Sequence, residues 1–211
     1  MYSLAHFTEF DFEKVYAFML DHPFVTLCGC SADGKPVATQ IPVLIRRKGS
    51  QITLSGHFMR KTDHHAAFSE NPNALAVFTG AHEYVSASWY SNPVQASTWN
   101  YMSVHARGTM HFLNDEKLMQ VLRDTTTLFE NNPTSPASFD NLPAEYIDRL
   151  IKAIIAFEIV VEEIGNVFKL SQNRDKQSFI NIIQKLKEKS EDGKVIAGEM
   201  EARIRDVSGD K

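Results

Sequence analysis

A chain of 211 residues, 43% hydrophobic and 23% charged, suits one large soluble domain or one domain with an appendage. That length buries a core without disulfide or metal staples. The formal net charge of −4 argues against a general nucleic-acid binder, which needs a basic surface, and leaves room only for a local basic patch. The two cysteines, Cys28 and Cys30, stand at i, i+2 on an expected strand, too far apart for an easy bridge. They read as small apolar strand residues, and such sparse cysteine use suits a reducing cytosol. The N-terminus carries no basic and apolar signal pattern, and no apolar run is long enough to span a bilayer. The expectation is therefore a cytoplasmic protein with no membrane partner.

The first predicted element is a helix over residues 11–21, with Phe12, Val15, Tyr16, Phe18 and Met19 as its apolar stripe and Asp11 or Thr8 as its cap. Pro23 ends it. Residues 24–31 read as a strand, and Asp33-Gly34 as a hairpin turn. Residues 36–46 read as a second strand, in which Pro42 implies an edge or a bulge, because proline donates nothing to the ladder. Residues 51–58 form a third strand, followed by a short helix over 63–70. Two strands, 74–79 and 83–88, are joined at Gly80, and a loop through Pro93 leads into a long strand to residue 112.

Asn114-Asp115 begins a helix to about Glu130, and the Asn, Pro and Ser content of 131–143 predicts a loop. A helix over 144–152 precedes a last strand over 154–164, which Gly165 breaks. Residues 174–189 form an amphipathic helix with Phe179, Ile182, Ile183 and Leu186 in register, capped by Ser171 or Asn173. The segment from Asp192 is weakly helical and expected to fray. Strands joined by short turns, with helices at the ends, favour an antiparallel sheet closed into a barrel over a doubly wound parallel sheet.

Residues 86–108 are the most informative stretch. Both tryptophans, Trp89 and Trp99, fall within it. From Trp99 the chain alternates. Asn100, Met102, Val104, Ala106, Met110 and Phe112 make a core-like face. Trp99, Tyr101, Ser103, His105, Arg107, Thr109 and His111 make the other. Aromatics, imidazoles and a guanidinium on one sheet face suit a planar ligand, a second chain, or both.

Several pieces together resemble the PaiB family of FMN-binding split-barrel proteins. They are Thr39-Gln40-Ile41-Pro42, Gly56-His57-x-x-Arg60, Ser88-Trp89-Tyr90, Thr98-Trp99-Asn100-Tyr101-x-x-Val104-His105, Ala156-Phe157-Glu158 and Lys169-Leu170-Ser171-Gln172-Asn173. The resemblance covers about residues 1–200. It implies a mainly β, α+β fold: an antiparallel six-stranded Greek-key split barrel with peripheral helices. The barrel domain would occupy residues 1–173, and residues 174–211 would form a helical extension packed on it. It also implies a homodimer with an FMN site at the subunit interface. Members are described as negative transcriptional regulators, and their fold is that of flavin-dependent oxidases and reductases.

Carried onto this chain, the resemblance makes Gly56, His57, Arg60, Lys61 and Thr62 the phosphate cradle, with Ser55 beside it. A phosphate dianion wants free amides, cations and a hydroxyl, and a strand running into a helix N-terminus supplies them. The same residues also suit a solvated basic turn. Family members often carry Asn-Pro where Thr62-Asp63 stands here, so a carboxylate lies beside the cradle unless it turns away at the helix cap. Thr39, Gln40, Ile41 and Pro42 would line the flavin ring, largely through main-chain groups; an edge strand with a bulge explains them equally. Trp89, Trp99, Asn100, Tyr101 and His105 would close the site or pack the dimer seam. No catalytic residue is identified, and no metal site is expected, since the adjacent His64 and His65 diverge on a helix. The functional expectation is a flavin-dependent oxidoreductase acting on a small molecule, or a flavin-sensing regulator. Direct DNA binding, against which the charge speaks, and a haem-binding or oxygenase-like role are the alternatives.

Overall fold

The computed structural model describes Met1 and residues 4–204; the end of the expected helical extension, residues 205–211, lies outside the described residues. Helices α1 (Phe12–Asp21), α2 (Asp63–Glu70), α3 (Asp115–Glu130), α4 (Ala144–Ala153), α5 (Lys176–Lys187) and α6 (Glu191–Ala202) accompany seven strands. The strands are β1 (Phe24–Cys30), β2 (Pro36–Pro42), β3 (Leu44–Lys48), β4 (Gln51–Met59), β5 (Asn73–Val85), β6 (Thr98–Phe112) and β7 (Ile154–Lys169). Two compact units divide the chain: Met19–Phe78 with His105–Ile164, called here the barrel unit, and Met1–Phe18 with Thr79–Val104 and Gly165–Lys211, called the terminal unit.

The sheet order is β2-β1-β5-β6-β7-β4-β3, and β1/β2, β1/β5, β3/β4 and β4/β7 pair antiparallel. Within the barrel unit, β2 and β3 hold opposite edges of this order, yet only Val43 separates them in sequence. The sheet must therefore curl until its edges meet. The strand predicted over 36–46 divides at Val43: its amide still reaches the Pro23 carbonyl of the β1 side at 2.8 Å, one step beyond the Phe24–Pro42 pair, whereas Leu44 pairs with Ser55 of β4, and Pro42 turns its nitrogen to the outer edge, where no amide is needed. The end of β2 comes against β4 at Gly56: a Cβ there would lie 3.0 Å from the Pro42 carbonyl oxygen and 2.9 Å from the Phe157 ring. The expected antiparallel α+β barrel is borne out, with seven strands where six were expected because that segment divides in two.

Phe58, at the inner end of β4, stacks on Phe157 at 5.3 Å between ring centroids and meets Phe112 and His64 edge-on at 6.1 and 4.9 Å. On the other side of β3, β4 and β7, Leu118, Val121 and Leu122 of α3 pack with Leu44, Ile154, Ala156 and Phe139. Two predicted breaks are absent. β5 runs through Gly80 and β7 through Gly165, since glycine, unlike proline, keeps its amide for the ladder.

In the terminal unit, α1 buries Val15 and Phe18, and Phe18 meets Phe168 edge-on at 5.3 Å. Asp175 caps α5 by accepting the Ser178 amide at 2.9 Å, so neither Ser171 nor Asn173 does. The segment after Asp192 is not frayed through the described residues: α6 buries Ile196, Ala197 and Met200 completely. Glu83 of β5 ties the α5–α6 junction down. It takes the Lys189 ammonium at 2.7 Å and the Ser190 hydroxyl, while Ser190 caps α6 through the Gly193 amide. The bonds from Lys189 and Ser190 hold the Glu83 carboxyl at about 2 instead of its usual 4.5.

Two outcomes follow from this packing. Gly56→Ala forces the barrel edges apart and is expected to cost about 1–3 kcal/mol, read as a lower denaturant midpoint at unchanged slope. Because the folded-state pKa of Glu83 is depressed, its contribution is complete above about pH 4.5 and fades as the pH falls through about 2. The acid-unfolding curve of Glu83→Gln should therefore lose that part of its pH dependence, and an unchanged curve would remove Glu83 from this role.

Candidate functional site

The barrel unit gathers the residues read as ring-lining and phosphate-holding. On β2, Ile41 turns its side chain into the core, Thr39 and Pro42 are half-buried, and Gln40 is exposed. β2 pairs only with β1, so alternate main-chain groups along its outer edge are turned away from the ladder. That is the geometry that main-chain reading of a flat heterocycle needs. Pro42 and Gly56 are brought together at the barrel edge, and β4 runs on from Gly56 through half-buried His57 to the basic turn. Burial lowers the His57 pKa and keeps its ring neutral at physiological pH.

The turn has a defined internal geometry. The Arg60 amide donates to the Ala153 carbonyl at 2.9 Å, and its guanidinium lies 3.9 Å from the Asp115 carboxylate at the start of α3. Lys61 is left-handed, at φ 63°, and exposed. Its amide donates to Nδ1 of His65 at 3.2 Å. Thr62 caps α2, accepting the His65 amide at 3.3 Å and donating its hydroxyl to the Met59 carbonyl at 3.0 Å. Asp63 does turn to the helix start, where its carboxylate accepts the His64 amide at 2.7 Å. That bond and a second to the His64 ring hold its pKa down, so it stays charged. His65 is held towards its neutral form by burial, then by Arg60 and His64.

Ser55 does not join this turn. It is buried beneath α3, where its hydroxyl lies 3.4 Å from the Arg46 guanidinium, in a pocket of about 180 Å³ that Lys117 and Glu158 also line. Adjacent residues of a strand face opposite ways, so the positions that place Gly56 at the barrel edge send Ser55 to the helix side. His105 is half-buried, with its pKa lowered by burial and by Arg107. Arg107 bonds to Glu163 at 3.2 Å and Thr109 to Glu162 at 2.7 Å. Arg107 is thus part of a cross-strand polar pair. It borders a groove of about 480 Å³ with Cys28, Cys30, Asn73 and Glu162, which shares no residue with the basic turn.

The remaining predicted residues belong to the terminal unit. Trp99 is 51% exposed, with His82 and Tyr84 beside it at 6.1 and 5.9 Å between ring centroids. Trp89 is half-buried, with the Lys189 ammonium 5.7 Å from its ring. Tyr101 is half-buried. Asn100 is a correction: it is wholly buried, and its carbonyl takes the Ser171 hydroxyl at 2.9 Å while its amide faces the Met200 sulfur at 3.5 Å. It links β6, the end of β7 and α6, and its side chain has no free face for a ligand. Of the other alternating positions of β6, Met102, Val104, Ala106 and Met110 are buried as expected, while Ser103 of the expected outer face is buried too and Phe112 only partly so.

Sequence reasoning missed three contributors to the turn: Asp115, the Ala153 carbonyl and the acceptor nitrogen of His65. Only His65 carried a local signal, four residues after Lys61 at a helix start. The other two come from chain segments more than fifty residues away, which no spacing rule connects.

The chain matches a family model over residues 1–163. It is 31% identical over 206 residues to the Bacillus subtilis "Protease synthase and sporulation protein PAI 2", covering 97% of this chain and 99% of that one. Among solved structures it resembles the FAD and haem binding protein from Mycobacterium smegmatis, with TM-score 0.57, 20% identity and 77% and 73% coverage of the two chains. The flavocytochrome Anf3 from Azotobacter vinelandii matches with TM-score 0.55 and 15% identity over 80% and 72%. At those identities the likeness is one of fold. The barrel topology, the near full-length relative and the family match agree with the resemblance read from the sequence, and the chain belongs to the family described as "Putative FMN-binding domain".

Proposed function

We propose that this protein binds FMN at the split of the barrel as a homodimer, with the phosphate at Arg60–Lys61–Thr62 and the ring edge against the outer main chain of Thr39–Pro42. The observation that carries this reading is the meeting of β2 and β4 at Gly56, from which β4 leads directly into a turn with two cations and a hydroxyl. In charge and donor type the turn suits a phosphate dianion. A ring lying on an edge strand has one face uncovered, and exposed aromatics such as Trp99 suit a second copy that covers it. Bound flavin supplies hydride or single-electron transfer; the chain supplies binding and orientation. The relative is named "Protease synthase and sporulation protein PAI 2", and a protein tied to sporulation suits a sensing use of that chemistry, with flavin occupancy or redox state as the signal.

Direct DNA binding by α5 and the lysine that follows it has less support. Lys185, Lys187 and Lys189 each face an acid, at 3.5 Å from Glu188, 2.6 Å from Glu201 and 2.7 Å from Glu83. Cations already paired release fewer counterions on meeting phosphate, so little affinity remains to be gained there.

The purified protein is expected to show a flavin absorption spectrum, or to acquire one on titration with FMN to one flavin per chain, at the mass of a dimer. Arg60→Ala should weaken FMN about tenfold or more and riboflavin little, since only FMN carries the phosphate. A Soret band in place of flavin absorption assigns the protein to haem. A colourless protein that ignores FMN overturns the reading.

A further inference from the structure

The basic turn is already closed by its own side chains. Two amides that a phosphate would use each have an internal acceptor: Lys61 donates to His65 Nδ1 and His64 to the Asp63 carboxylate, while the His65 amide is held by the Thr62 cap. One of these acceptors is an anion, seated at the positive end of α2. A second carboxylate, Asp115, lies 3.9 Å from the Arg60 guanidinium. The turn therefore carries a built-in replacement for part of a phosphate's contacts, and its two carboxylates stand against the two cations that would attract one.

We infer that Asp63 and His65 form a latch that competes with the flavin phosphate for the Lys61 and His64 amides, and so sets a weak, reversible affinity. This rests on the FMN reading above. To seat a phosphate, Asp63 must release the His64 amide and His65 the Lys61 amide. Asp63 does so readily: its side chain is 70% exposed and is solvated by water once released. His65 accepts through Nδ1 only as the neutral ring, the form that its burial and the Arg60 charge favour. The Thr62 cap is not part of the exchange, so α2 keeps its start when the latch opens. Such an arrangement suits a site that samples free flavin and not one that holds it permanently.

Asp63→Asn keeps an acceptor at the helix start and removes its charge. Calorimetric titration of the full chain in phosphate-free buffer, with FMN and with riboflavin, tests the latch. The variant is expected to bind FMN about fivefold more tightly than the parent and riboflavin equally, because the removed charge lies near the phosphate alone. Asp63→Ser serves as a second neutral variant, and thermal melts of both confirm a folded chain. Equal FMN affinity in parent and variants, or an equal gain for both ligands, overturns the latch and leaves the FMN reading standing. Failure of the parent and both neutral variants to bind FMN overturns the FMN reading and the latch with it.

Discussion

The link between Pro42 and Leu44 governs the barrel unit. A single residue, Val43, joins strands at opposite edges of a seven-stranded sheet. One residue spans only about 3.5 Å, so the edges cannot lie apart and the sheet has to curl. Val43 is where the chain changes partners: its amide makes the last bond to the β1 side, at the Pro23 carbonyl, and Leu44 already pairs with β4. Closure then demands a residue without a side chain on the facing strand, and Gly56 supplies it. The same closure sets the direction of β4 and delivers the basic turn at its end to the barrel edge. The position of the candidate site is thus a by-product of how the barrel shuts.

In the terminal unit, polar links do comparable work. Glu83 gathers Lys189 and Ser190, so an ion pair, a helix cap and the turn between two helices depend on one carboxylate. Asn100 satisfies the buried Ser171 hydroxyl beside Met200. A buried amide with partners fixes how strands and helices register, and costs heavily if left alone. This explains why an asparagine between two aromatics, which looks like a ligand contact in the sequence, serves packing.

The basic turn shows why charge counting alone describes a binding site poorly. Two adjacent cations and a helix start suggest an open anion site, yet the Lys61, His64 and His65 amides already have acceptors. Affinity then depends on the difference between internal and external contacts, a smaller quantity than the sum of the external ones. The left-handed Lys61 belongs to the same balance, since its backbone is held where its amide meets the His65 ring.

Much of this protein is determined locally and was therefore legible. The period of the apolar residues placed α1 and α5, caps and breaks bounded α2, α3 and α4, and the alternation from Trp99 to Phe112 marked most of the core face of β6. Proline at 42 marked an edge, and Gly56 through Thr62 marked a strand entering a helix. These features depend on residues within one or two turns of each other. Only the tertiary structure decided that the chain crosses from one sheet edge to the other at Val43, that Ser55 faces α3 while Gly56 faces the barrel edge, and that Asn100 is buried beside Met200. Asp115 reaches Arg60 for the same reason. Each of these outcomes rests on which distant segment arrives beside a residue. That is set by closure and packing of the whole unit, and no local spacing encodes it.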